Sequence, residues 1–236
     1  MIQQYKSQRG FTLIELMLSM SFVAFLLLAI AMTTMQITHI YNKGITLRQV
    51  NQAGRALSDE LQRSITSAMP FEVTSGSTSR YVAQPGGGRL CVGSYTYAWN
   101  YGSAILGGAG APAIVNTYEG GGDPIRFVKV ADSGASLCVD PTKSIERNKA
   151  SEMLVGGDRD LVLHQFSIKR EVNDASIGQA LYGISMIIGT NDREQLVTGD
   201  TSCKPPSASQ ASADGYCAVN QFDIIARAGN KAEGNR

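Results

Sequence analysis

Between Glu15 and Lys43 the chain carries no aspartate, glutamate, lysine or arginine. The stretch "LMLSMSFVAFLLLAIAMTTMQI" fills most of that gap. It exceeds the roughly 20 residues that cross a bilayer as a helix. A run of this kind dictates much of what can follow: it predicts one membrane-spanning helix at the N-terminus, with the bulk of the chain on one side. Lys6 and Arg9 precede it, so the positive-inside tendency predicts a cytoplasmic leader and an exported remainder. No other apolar run is long enough, and "LYGISMIIG" reads as a strand. A cleaved secretory signal ends at a small-residue site of the A-x-A kind. Nothing like it follows Ile37, so the helix is expected to stay on the chain as an anchor. Glu15 then needs a reason. An acid at mid-span costs about 2.5–3.5 kcal/mol, and one nearer the edge still gains from a partner.

The amphipathic pattern continues past the apolar run. Leu47, Val50, Gly54, Leu57, Leu61, Ile65 and Ala68 recur at spacings of three and four. They form one stripe, with Arg48, Arg55, Asp59 and Arg63 mostly off it. Pro70 is expected to end the helix, because the residue before a proline disfavours the helical conformation.

The residues around the acid, "RGFTLIEL", resemble the processing site of type IV prepilins: a glycine, an aromatic residue, then Thr-Leu-x-Glu at the head of a hydrophobic helix. The motif is short, yet residue types, leader length, basic leader and following span all agree with it. The resemblance implies that leader 1–10 is removed after Gly10 by a prepilin peptidase, and that the new terminus at Phe11 is N-methylated. It implies that Glu15 attracts the amino terminus of a neighbouring subunit. The physics is coherent: two opposite charges, each costly alone in a low dielectric, favour pairing. The implied architecture is the α+β pilin fold. Residues 11–38 are the transmembrane and filament-core half of a long helix, 39–69 its amphipathic half, and 70–236 a β-rich head with a C-terminal disulfide loop over 203–217. Implied partners are other pilin subunits through the helix, the prepilin peptidase, the membrane assembly platform, and lipid before assembly. The implied location is the cytoplasmic membrane with the head outside, then an extracellular filament. Many major pilins have a proline partway down the apolar half, where this chain has Met32, with Gly44 and Gly54 further on. That departure, with "AGRALSDELQRSI" resembling the spine of larger minor pilins and pseudopilins, points to a minor pilin of a type IV pilus. A pseudopilin of type II secretion is the alternative, and a membrane-tethered binding protein or enzyme is a third reading.

After Pro70 the texture changes. "TSGSTSR", "QPGGGR", "GGAGAP", "YEGGGDP" and "VGGDRD" punctuate runs that read as strands. Of these, "DLVLHQFSIKREV", "ALYGISMIIGT" and "NQFDIIARAG" are expected to be successive antiparallel strands. About 165 residues can bury a real core. The glycine clusters lack the G-x-x-x-x-G-K-[ST] pattern and are expected to be surface loops rather than phosphate cradles. Four cysteines, Cys91, Cys138, Cys203 and Cys217, permit three pairings, and none sits in a CxxC pair. An even number on an exported domain predicts disulfides. The sequential pairing, Cys91–Cys138 with Cys203–Cys217, is expected.

Charge and motif search favour no enzyme, cofactor or metal. With 21 bases and 20 acids the chain has no general affinity for polyanions. DNA or a surface ligand would have to use Lys169, Arg170 and Arg227, or stack on Trp99 and the tyrosines at 95, 97 and 101. Packing is the plainer reading of those rings. His164 reads as a sheet residue and His39 as interfacial. Asp192, Glu194 and Asp200 have calcium-type oxygens, but their spacing fails the EF-hand pattern.

Overall fold

A computed structural model of the chain describes residues 10, 12–74, 79–154, 160–174, 178–192, 194–197, 199, 202–204 and 217–229. The chain divides into two compact units, Met1–Asn42 and Lys43–Arg236, and helix α1 (Leu13–Thr66) contributes to both.

In the first unit α1 is a bare apolar helix. An 18-residue window reaches a mean hydropathy of 2.4 and none of it is buried. By length and composition it can cross a membrane. Its hydroxyls are satisfied without water: Ser21, Thr33 and Thr38 each donate to the carbonyl four residues back. In hydrocarbon, where an unpaired polar group costs several kcal/mol, that is what a spanning helix needs.

In the second unit the inner face of α1 is buried along Thr46, Val50, Gly54, Leu57, Ser58, Leu61, Ser64 and Ile65. The expected stripe is therefore right from Val50 onward. Leu47 is the exception, 44% exposed, because Thr46 takes the inward position on that turn. The helix ends at Thr66, slightly before the expected end. Ser67 and Ala68 close the last turn by donating to Arg63 O and Ile65 O. Each large apolar side chain on this face contributes about 1.5–3 kcal/mol of burial, so the face prefers a sheet to water.

The head contains two antiparallel sheets. Sheet A has the order β1 (Tyr81–Gln84), β2 (Gly87–Val92), β3 (Tyr95–Asn100), β4 (Phe127–Ala131), β5 (Ala150–Glu152). Sheet B is β6 (Leu161–Asp174), β7 (Gln179–Thr190) and β8 (Val219–Ala228), the three successive strands expected. The run "RLCVGSYTYAW" is a hairpin of β2 and β3 that turns at Gly93, whose φ of 58° is costly for other residues. Short helices α2 (Gly102–Leu106) and α3 (Ser136–Val139) lie in the connections. One core joins Val50, Leu57, Leu61 and Ile65 of α1 to Leu90, Tyr97, Trp99 and Phe127 of sheet A and Phe166, Tyr182 and Met186 of sheet B. A smaller core on the other side of sheet A contains Ala98, Tyr118, Ile125, Val128, Val130, Leu137 and Ile145.

Candidate functional site

Thr12 and Glu15 form a closed local arrangement at the start of α1. The Thr12 N–H donates to Glu15 Oε2 at 3.1 Å and the Thr12 hydroxyl donates to the same oxygen at 2.9 Å. The Glu15 N–H returns a bond to Thr12 Oγ1 at 3.4 Å. This is a reciprocal capping box, which satisfies donors that a helix start leaves orphaned. The acid thus has a task within its own chain. Its second oxygen, Oε1, makes no hydrogen bond among the described residues, and the side chain is exposed. Gly10, the expected cleavage residue, is exposed and non-helical. Phe11 and leader residues 1–9 lie outside the described residues.

Both expected disulfides are present. Cys91–Cys138 ties β2 to α3 with a Cα–Cα distance of 6.3 Å, and Cys203–Cys217 spans 5.9 Å just before β8. Two bridges fit an oxidising compartment. The interior of the expected loop, 205–216, lies outside the described residues.

The aromatic group does not offer a stacking platform. Trp99 and Tyr97 are fully buried, and the Trp99 ring lies 4.3 Å from Phe166 and 5.6 Å from Phe127. Alternation along β3 turns these rings into the core. Only Tyr95, at the strand end, is exposed, and Lys129 Nζ lies over its ring at 3.8 Å. The three cations proposed for DNA are not gathered either. Arg170 is paired with Glu72. Lys169 stands opposite Gly183 and Arg227 opposite Leu181, on the other face from Arg170 in the β6–β7–β8 ladder.

His164 Nε2 lies 3.1 Å from Thr190 O, and a carbonyl only accepts, so the proton is on Nε2. His39 is half-buried on α1. Asp192 accepts from Glu194 N–H at 3.0 Å and from Gln195 Nε2 at 2.6 Å, which makes it a turn residue. Asp200 lies outside the described residues. Among the described residues no three His, Cys, Asp or Glu side chains come together as a metal site. The glycines of "PGGGR" are packing residues: a methyl on Gly86 would sit 1.9 Å from Ala113 O, and one on Gly87 would sit 2.1 Å from Trp99 O.

Two polar sites escape a reading of the sequence. Glu60 reaches from α1 to sheet A, where its Oε1 accepts from Lys129 Nζ at 2.6 Å and the Tyr97 hydroxyl at 3.1 Å. Lys129 holds the carboxyl below its ordinary range, against the opposing effect of burial. Arg89 is 2% exposed and donates to Asn116 Oδ1 at 2.6 Å and to the carbonyls of Leu137 at 2.9 Å, Asp140 at 3.2 Å and Lys143 at 2.7 Å. Burial lowers its pKa, with Asp140 and Asp132 opposing. One guanidinium thus shapes two long connections. No local pattern marks either site, because every partner of Arg89 and the lysine of Glu60 are distant in the chain.

A groove of about 410 Å³ follows the end of α1, lined by Met69, Pro70, Phe71, Glu72, Arg80, Cys91 and Gly93. Its carboxylate, Glu72, is already held by Arg170.

No protein-family model, curated protein or solved structure matches this chain.

Proposed function

We propose that this chain is a minor type IV pilin, a subunit built into an extracellular filament or at its tip after removal of its leader. The observation that carries the reading is "RGFTLIEL" at the head of an exposed apolar helix whose second half is buried in a β head. The acid of that motif is exposed and has one oxygen engaged by Thr12, which leaves the carboxylate accessible to a neighbour's amine. Before assembly the helix sits in lipid; afterwards the same apolar surface packs against other subunits. Prepilin peptidase and the assembly platform are the partners this reading requires. The chain acts as a structural subunit in this account, with no reaction of its own. Two disulfides suit a head that works outside the cell.

Mass spectrometry of the native N-terminus tests the proposal. The expected terminus is a methylated Phe11, and an intact Met1 would overturn it. Immunogold or cryo-EM localisation then decides between filament and secretion apparatus. Labelling along or at the end of native filaments supports the minor pilin, and its confinement to the envelope supports the pseudopilin.

A further inference from the structure

The two edges of sheet B are tied to different partners. On the β6 side, Tyr101 bridges to Leu163 and the Tyr81 hydroxyl donates to Phe166 O at 3.3 Å, so this edge belongs with sheet A. On the β8 side four attachments beyond β7 run to α1 and the turn after it. Asn220 Nδ2 donates to Asn51 Oδ1 at 2.7 Å, and the Phe222 ring lies on Gly54. Gln62 Nε2 donates to Ile225 O at 3.2 Å, and Gly229 N–H donates to Ala68 O at 2.9 Å.

β8 is also the least buried strand of its sheet. Only Ala226 and Ala228 are buried, and Ile225 is 62% exposed. Its leading end is fixed covalently, since Cys217 is bridged to Cys203, and Ala218 O accepts from Thr190 N–H at 3.0 Å. Its trailing end is held by the Gly229–Ala68 bond. Meanwhile α1 has a separate hold on sheet A lower down, where Ser64 Oγ and the Tyr97 hydroxyl lie 2.5 Å apart and Glu60 meets Lys129.

We propose that β8 is a strap, hinged at the Cys203–Cys217 bridge and latched at Ala68, whose release from β7 frees the part of α1 around Gly54 while Glu60 and Ser64 keep the helix on sheet A. Local opening of a native protein follows the units with fewest buried contacts. Here β8 is an edge strand and the least buried of its sheet. The strap does not depend on what the chain assembles into. It sets where helix and head part when the chain is pulled or heated.

Limited trypsin digestion of the full chain tests this. Phe222→Ala empties the notch over Gly54. Cleavage after Arg48 and Arg55 is expected to accelerate about tenfold or more, because proteolysis tracks the open population. Cleavage after Arg63 and Arg89 is expected to stay at the unmodified rate. Equal acceleration at Arg89 would mean that the whole head loosens, and no acceleration at Arg55 would mean that β8 holds nothing; either overturns the strap. Hydrogen exchange on the unmodified chain provides a check that does not depend on the variant folding. The β8 amides and those of residues 53–57 are expected to exchange at one shared rate, faster than β2 and β3. Exchange of β8 at the β2 and β3 rate overturns the proposal.

Discussion

The ring of Phe222 occupies the place where a side chain at Gly54 would be: a methyl built on Gly54 would lie 2.1 Å from Cζ and 2.2 Å from Cε2. Two residues from opposite ends of the chain make this contact, and it holds the last strand against the helix. Gly54 thus has a packing reason to be glycine, although glycine inside a helix is otherwise destabilising by roughly 0.5–1 kcal/mol relative to alanine. Gly54→Val is expected to lower head stability by about 1–3 kcal/mol, as overpacking of a filled core does. Denaturant melting of the unmodified and variant chains measures it, and an unchanged midpoint would show that the ring moves aside freely.

Glu60 and Lys129 link helix to sheet at a mostly buried site, with Arg63 3.9 Å from the other carboxylate oxygen. The folded-state pKa of Glu60 lies below its ordinary value of 4.5. Its contribution to stability is therefore complete above that value and is lost as the pH falls through the lower folded value. Glu60→Gln is expected to cost about 1.5–3 kcal/mol near neutral pH, the range for hydrogen bonds to charged groups, and to flatten the acid limb of the stability curve. Thermal melting between pH 7 and pH 3 gives both numbers. An acid limb equally steep in the variant would assign acid lability to other carboxylates.

Loss of the Cys203–Cys217 bridge releases a short closed loop just before β8. The double substitution Cys203→Ser with Cys217→Ser is expected to lower stability by about 3 kcal/mol, the entropic contribution of a loop of this length. Comparing denaturant midpoints of the two oxidised proteins tests this. A variant as stable as the unmodified chain would mean that the loop is held by its other contacts, such as Lys204 N–H to Gln195 O.

Legibility followed the range of the interactions. The long apolar helix, its amphipathic continuation and the three strands of sheet B are set by local periodicity, which a sequence displays openly. The cysteine pairing was also accessible, since each bridge joins cysteines adjacent in order. Leu47 went astray because the burial stripe does not begin where the periodicity does: Thr46, a polar residue, takes the first inward place. Packing, the plainer reading of the aromatic stretch 95–101, holds for Tyr97 and Trp99. Once Gly93 turns the chain, Tyr97 and Trp99 point into the core. Arg89 and Glu60 were invisible because a surface charge and a buried one look alike in sequence. Only the loops that converge on Arg89 reveal that it is internal.

Thr12 and Glu15 allow the cap and the proposed docking charge to be separated. Glutamine retains an acceptor that can serve the capping box, whereas it carries no charge. Glu15→Gln is therefore expected to keep the helix start and leader removal intact while reducing entry into filaments. Thr12→Ala removes the cap hydroxyl but not the charge, at a cost of about 0.5–2 kcal/mol to the helix start. Quantitative immunoblots of sheared filaments, normalised to membrane-bound subunit, compare the two. Normal incorporation of Glu15→Gln beside reduced incorporation of Thr12→Ala would make the acid a capping residue alone, and the neighbour's amine would need another acceptor.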